Sequence, residues 1–245
     1  MENKTMNEIF TRTIQLLGED GFSKLSRASV AVFGLGGVGG HCAEALARAG
    51  IGSLFLTDAD TVAPSNINRQ SIAFLSTVGR KKTEVMKQKL SDINPDCAVT
   101  VCDSFVLPEN AEHVFSSFPY APDYIVDAVD TVSAKIALAS YAASRNIPII
   151  ASMGTGNKLH PEAFKIADIY DTNVCPLCRV MRRELKKRDI PALKVLYSEE
   201  LPRMPQTAGE EKSSGRPAPA SISFVPSVAG LLIAGEVIRS LSGIS

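Results

Sequence analysis

Two stretches near the start of the chain carry residue types at spacings that could act on a nucleotide. Gly34, Gly36 and Gly39 form GxGxxG, with Gly37 among them, between an apolar run and a segment rich in Ala and Leu. Glycines so spaced let backbone N–H groups approach a phosphate or ribose at a helix N-terminus. Asp58 comes 19 residues after Gly39 and closes the next apolar run, where a carboxylate would meet adenosine ribose hydroxyls. The glycine motif alone does not separate a nicotinamide dinucleotide from ATP. A hydride-transfer enzyme neutralises one pyrophosphate bridge. An enzyme that cleaves ATP must also stabilise a departing pyrophosphate, which takes cations and a metal. The stretch TDADTVAPSNINRQ supplies polar and charged groups directly behind Asp58: Asn66, Asn68, Arg69 and Gln70, with Lys82 at the next expected helix start. Arg69 and Lys82 would hold the β- and γ-phosphates. Asp130, ending YIVDAVD, would hold Mg²⁺ at the carboxyl edge of a sheet. Each residue also has an ordinary reading, as a turn residue, a solvated helix start, or a cap for the helix after Asp130. Their joint occurrence in this order lifts the nucleotide reading.

The scaffold that must position these groups is written in alternating periodicities. Strands are expected at 28–33, 53–58, 98–106, 124–128 and 147–152, and helices at 9–17, 38–49, 79–93, 109–116 and 133–145. That alternation predicts an α/β fold with a doubly wound, mostly parallel, Rossmann-like sheet. Residues 1–153 form the nucleotide-binding half. Residues 154–245 form a mixed α/β extension of the same domain, facing substrate and completing a dimer. In it, strands at 164–169 and 193–197 flank a basic helix. Residues 221–225 read as a further strand and 228–241 as a last helix. Residues 199–219, rich in Pro, Ser, Gly and charge, predict a mobile loop.

Bulk composition narrows the classes. Formal net charge is zero over 245 residues, so any nucleic-acid surface is a local patch. The apolar run 224–238 is short for a membrane span and carries Glu236, and no secretory signal opens the chain. A soluble cytoplasmic protein with no membrane partner is expected. The five cysteines argue against a secreted disulfide framework. Cys175-Pro-Leu-Cys178 is a lone CxxC pair, and a four-thiolate zinc site would need Cys97 and Cys102 from a strand region. Zinc is therefore not expected, and structural cysteines are favoured over a redox pair. Cys42 reads as a core residue, and His41, His113 and His160 as surface or structural.

Together, GLGGVGG, DADTVAPSNINRQ, the segment 79–82, DAVDT and FTRTIQLLGEDG resemble the ThiF/MoeB/HesA family, whose nucleotide domain is shared with ubiquitin-activating enzymes. The resemblance covers nearly the whole chain. It implies adenylation of a carboxylate by ATP with loss of pyrophosphate, usually in a homodimer. By position it assigns the ribose to Asp58, the nucleotide and its phosphates to Asp60, Asn66, Arg69, Gln70 and Lys82, and Mg²⁺ to Asp130. Arg12 would reach the partner subunit's ATP. A monovalent cation and a link to a cysteine desulfurase are compatible with the family, although no residue here argues for either.

From Ala151, ASMGTGNKLHPEAFKIADIYDTNVCPLCRVMRRELKKR, then LKVLYSEELP and FVPSVAGLLIAGEVI, is similar to the tRNA threonylcarbamoyladenosine dehydratases within that family. CPLC departs from some of these, which lack both cysteines. The implied substrate is a tRNA adenosine whose threonylcarbamoyl group carries a free carboxylate. Adenylation would activate that carboxylate, and the neighbouring carbamoyl oxygen would close an oxazolone ring. Arg179 to Arg188 holds six basic residues and one acid. On a helix, Arg179, Arg182, Arg183, Lys186 and Lys187 would spread over one broad side, with Val180, Met181 and Leu185 packed inward. Given the resemblance, that side is expected to meet the tRNA backbone. An activator of a ubiquitin-like sulfur carrier is the alternative, but such activators carry a second CxxC pair. A nicotinamide-binding reductase or non-catalytic sensor would leave Arg69, Lys82 and Asp130 unexplained.

Overall fold

The computed structural model describes residues 2–206 and 219–244. The apolar runs become parallel strands β1 (Ser29–Phe33), β2 (Ser53–Thr57), β3 (Ala98–Cys102), β4 (Tyr124–Asp127) and β5 (Ile149–Ser152). Two more, β6 (Phe164–Asp168) and β7 (Lys194–Ser198), complete a seven-stranded sheet in the order β3-β2-β1-β4-β5-β7-β6. Only the edge strand β6 runs antiparallel to its neighbour. Strands β1, β2 and β4 are buried at every position, which is why they read as apolar runs rather than as alternation.

Helices cover both faces. On one face α1 (Glu2–Leu25), α2 (Gly39–Ala49), α3 (Lys82–Ile93) and α7 (Val225–Ser242) enclose a core that includes Val30, Leu46, Leu54, Met86 and Ile233. On the other, α4 (Ala111–Ser116) and α5 (Val132–Arg145) pack Phe115 and Leu138 on Phe33 and Phe55. Beside them α6 (Pro176–Lys186) buries Cys178, Met181 and Leu185 against Ala151 and Val195. α7 is long and apolar enough to cross a membrane by length and composition. Here it packs on α1 and α2, with Ala229, Ile233 and Val237 in the core.

The strand order fixes where a ligand belongs. β1, β2 and β3 build outward in one direction, and the chain then returns to lay β4 on the other side of β1. Open α/β sheets bind ligands at such a switch point, beyond the carboxyl ends of the strands. Phe33 is paired with both Thr57 and Asp127, so Gly34, Asp58 and Ala128 leave the sheet side by side.

Several boundaries differ from expectation, each for a visible reason. The helix expected over 9–17 is part of α1, which is broken at Gly18 (φ 72°, ψ 164°) and resumes to Leu25. Gly79 lies outside α3, at φ 85°, because 79–82 first pairs with 60–62: Gly79 N donates to Val62 O at 2.8 Å and Val62 N to Arg80 O at 2.9 Å. Residues 221–224 form no strand. Pro226 in the first turn starts α7 at Val225, and Ser221 O accepts from the Asn68 side chain rather than from a neighbouring strand. Residues 207–218 of the expected mobile loop lie outside the described residues, and 199–206 are irregular.

Candidate nucleotide site

The glycine loop is shaped by close approach. A Cβ on Gly34, whose φ is 87°, would lie 2.7 Å from Ala128 O, and one on Gly39 would lie 1.8 Å from Gly34 O. Those two glycines are required by the protein itself. Gly36 is different: a Cβ there would meet nothing nearer than Gln70 Nε2 at 3.9 Å. Nothing in the protein demands a glycine at 36, so its absent side chain leaves room for a ligand. Gly37 lies against Pro226 of α7 and the stem of Arg69.

Asp58 is already fixed beside this loop. Its Oδ2 accepts from Leu35 N at 2.6 Å and its Oδ1 from Asp60 N at 2.9 Å. Burial pushes its carboxyl above the ordinary carboxylate range, against the pull of Lys82 and the two backbone donors. The Lys82 ammonium lies 3.9 Å from Asp58 and 2.8 Å from Asp60, with its side chain buried and that of Asp60 exposed. Lys82 is held at the start of α3 because its N–H donates to Asp60 O at 3.1 Å, extending the ladder between 60–62 and 79–82.

The polar stretch behind Asp58 divides its labour. Asn66 is buried and its Oδ1 accepts from Ala63 N at 3.1 Å, closing the turn that carries Arg69. Asn68 accepts from the Arg69 guanidinium at 2.8 Å and ties the stretch to Ser221. Arg69 also donates to Ser65 O at 2.7 Å, which stretches its guanidinium over the turn beside the glycine loop. Gln70 is buried next to Gly36, and its Oε1 meets no hydrogen-bond donor among the described residues. A buried amide with a spare acceptor, beside a glycine with open space, fits a polar ligand. His41, half-buried, accepts or donates to Ser227 at 2.9 Å and lies 3.3 Å from Arg69 O. Its role is to join α2, α7 and the Arg69 turn, in keeping with the structural reading.

Asp130 is exposed at the carboxyl edge, three residues past β4, with Thr131 Oγ1 3.4 Å from its Oδ1. Among the described residues no cluster of three or more His, Cys, Asp or Glu side chains could hold a metal. One carboxylate is nevertheless a fit donor set for Mg²⁺, which takes one or two protein carboxylates and completes its shell with phosphates and water. Asp127 faces the other way. It is fully buried, and its Oδ1 is 3.1 Å from Lys135, which also donates to Ser152 O at 2.7 Å. This buried pair clamps β4, β5 and α5 beneath the switch point and went unnoticed in the sequence. Its only signal there is one lysine inside VSAKIALASYA.

Arg12 is exposed on α1, away from this site. The neighbouring Phe10 packs on Gly50, which caps the far end of α2 from the glycine loop. The 11 residues of α2 span about 16 Å, so Arg12 cannot serve the nucleotide of its own chain. On α6 and its C-cap, Arg179, Arg183, Lys186 and Lys187 are exposed. Arg182 departs from the expected broad basic side: it turns inward and donates to Thr172 O at 3.0 Å and Ile169 O at 3.3 Å. Val180 is correspondingly half-exposed. Glu184 pairs with Arg183, Lys187 and Arg188, so part of the patch is neutralised from within.

Comparison with known proteins agrees with this geometry. The ThiF family model matches residues 10–245. The tRNA threonylcarbamoyladenosine dehydratase of Bacillus subtilis is 42% identical over 241 residues, covering 95% of this chain and 94% of that one. The structure of E. coli tRNA N6-threonylcarbamoyladenosine dehydratase in complex with AMP superposes with a TM-score of 0.87 at 31% identity, covering 97% of this chain and 95% of that one. The same enzyme in complex with ATP gives a TM-score of 0.86. An adenylyltransferase and sulfurtransferase of Kluyveromyces lactis is 36% identical over only 129 residues, 53% of this chain and 28% of that one. With its strand order, its glycine loop and a likeness that runs from Phe10 to the last residue, the chain belongs to the ThiF family.

Proposed function

We infer that the protein is an ATP-dependent enzyme that dehydrates threonylcarbamoyladenosine in tRNA to its cyclic oxazolone form. The observation that carries this is the convergence of Gly36, Asp58, Arg69, Gln70 and Lys82 at the switch point of a chain similar over its whole length to such dehydratases. In this reading Asp58 accepts hydrogen bonds from the ribose hydroxyls, and Gly34 to Gly39 let backbone N–H groups face the phosphates. Asp60, Asn66, Asn68 and Gln70 shape the pocket wall. Arg69 and Lys82 balance the β- and γ-phosphates, Lys82 moving off Asp60 to do so. In a homodimer Arg12 of each chain adds a further cation to its partner's site. Asp130 would hold Mg²⁺, which offsets charge on the departing pyrophosphate.

The substrate carboxylate attacks the α-phosphorus, and pyrophosphate leaves. The carbamoyl oxygen then attacks the acyl carbon of the mixed anhydride, expels AMP and closes the five-membered ring. Because nucleophile and electrophile are tethered, the effective concentration reaches the order of 10⁵ M when they are well oriented. The protein therefore needs no nucleophile of its own; it must align the carboxylate and exclude water. Arg179, Arg183, Lys186 and Lys187 offer the tRNA backbone a basic face. The setting is cytoplasmic, in keeping with five free thiols. Activation of a sulfur-carrier protein ranks below this reading, because the sulfurtransferase relative matches only about half the chain.

The test is to incubate the protein with ATP, Mg²⁺ and tRNA bearing threonylcarbamoyladenosine, then digest and weigh the nucleosides. Wild type should remove one water from the modified nucleoside, and Arg69→Ala and Asp130→Ala variants that still fold should leave it unchanged. Unchanged nucleoside would overturn the assignment.

A further inference from the structure

The adenylation chemistry leaves the Cys175–Cys178 pair unused. Cys175 is the N-cap of α6, Pro176 follows in the first turn, and Cys178 lies one turn on. Backbone N–H groups of Cys178, Leu177 and Gly154 face the Cys175 sulfur, although none forms a short, linear cap bond. The two residues are unequally buried. Cys175 is 9% exposed beside exposed Asn173 and Pro176, whereas Cys178 is fully buried.

The backbone leading into the pair is strained. Val174 has φ 59°, a left-handed conformation that a β-branched residue rarely adopts. Cys175 N donates to Asn173 O at 2.5 Å across it, a tight three-residue turn. Val174 is also 46% exposed, an apolar side chain held in solvent next to Cys175 in the chain. Such outliers cluster at functional sites. Two cations border the pair: buried Lys158 faces Cys175, with Glu200 as its counter-charge, and Arg182 faces Cys178, with Tyr197 a further titratable neighbour.

We propose that Cys175 and Cys178 form a dithiol–disulfide exchange site for low-molecular-weight disulfides, Cys175 attacking and Cys178 resolving. The Cys175 thiolate attacks one sulfur of the incoming disulfide, forming a mixed disulfide and releasing one thiolate. Cys178, giving up its proton to the thiolate just released, attacks the Cys175 sulfur and releases the second thiolate, which takes a proton from solvent. Two electrons pass from the protein's thiols to the incoming disulfide, which leaves as two thiols. The Cys178 thiol, helped by the backbone donors, brings the Cys175 thiol below the ordinary cysteine range against the opposing effect of burial. Below neutral pH such a thiol is ionised where an ordinary cysteine is protonated, so its rate advantage is largest in mild acid; it shrinks toward neutral pH, where its lower nucleophilicity offsets the gain.

The native protein is exposed to oxidised glutathione at pH 6 and pH 7.5, with a cysteine-containing peptide as reference, and followed by intact mass and peptide mapping. Wild type should lose two hydrogens, retain no glutathione and carry the bridge between Cys175 and Cys178. Cys178→Ser should stop at a glutathione adduct on Cys175. Cys175→Ser, which keeps a good helix cap, should form neither. At pH 6, reaction should run several-fold faster than with the peptide, and the lead should shrink at pH 7.5. No reaction, reaction first at Cys97 or Cys102, or the same stable adduct in wild type and Cys178→Ser would overturn the proposal.

Discussion

Replacing Asp58 by Asn tests the ribose assignment with little change of shape. Each carboxylate oxygen accepts one backbone N–H, from Leu35 at 2.6 Å and Asp60 at 2.9 Å. An amide can satisfy only one of them, and its NH₂ then faces the other donor. That costs about 1–3 kcal/mol of stability, partly offset because a buried charge is removed. On the ligand, one charge-assisted bond to a ribose hydroxyl is lost and the other weakened. The difference is about 2–3 kcal/mol, or roughly 30- to 150-fold in ATP Kd. Calorimetric titration with ATP gives the Kd, and thermal unfolding of the free protein verifies the fold.

The pH dependence carries a second sign. Burial raises the Asp58 carboxyl above its unfolded value. The group therefore contributes stability that is present below the unfolded value and lost as pH rises through the raised folded one. ATP binding needs the ionised form, so affinity should fall on acidification while this group's stabilisation returns. Asp58→Asn should lose both trends, and protonation of ATP itself cancels in the comparison. A folded Asp58→Asn protein that binds ATP within threefold of wild type would refute the reasoning.

The glycines should separate by role. Gly39→Ala drives a Cβ to 1.8 Å from Gly34 O and should lower the melting temperature sharply, whereas Gly36→Ala meets open space and should melt like wild type yet bind ATP at least tenfold more weakly. Lys135→Met leaves Asp127 charged and buried and should cost about 3–5 kcal/mol in urea unfolding; the double variant Asp127→Asn/Lys135→Met should recover part of it. Charge reversal at Arg179 and Arg183 should weaken tRNA binding and flatten its salt dependence by about one unit of slope per lost contact, with ATP Kd unchanged. Arg182→Ala should instead lower stability, since its guanidinium holds Thr172 and Ile169.

The nucleotide-facing half was legible because its signals are local. A glycine loop between a strand and a helix, a carboxylate at the next strand end and an apolar run to Asp127 each follow from neighbours in sequence. What stayed hidden depends on contacts between distant segments. Gly79 looks like a helix start until 79–82 is seen paired with 60–62. Residues 221–224 alternate like a strand, but Asn68 donates to the Ser221 carbonyl and Asn157 accepts from the neighbouring Ala220 N–H, so side chains rather than a strand hold this segment. The inward turn of Arg182 follows from the carbonyls at 169 and 172, which helical spacing alone does not reveal. The same spacing did foresee that Met181 and Leu185 face the core.

The most direct test of the central claim is AMP release from ATP in three parallel reactions: with threonylcarbamoyladenosine-bearing tRNA, with a carrier protein ending in Gly-Gly, and with neither. A site built to activate a tRNA-borne carboxylate should form AMP in step with the modified tRNA and negligibly otherwise. AMP formed with the carrier alone, or at the same rate in all three, would contradict it.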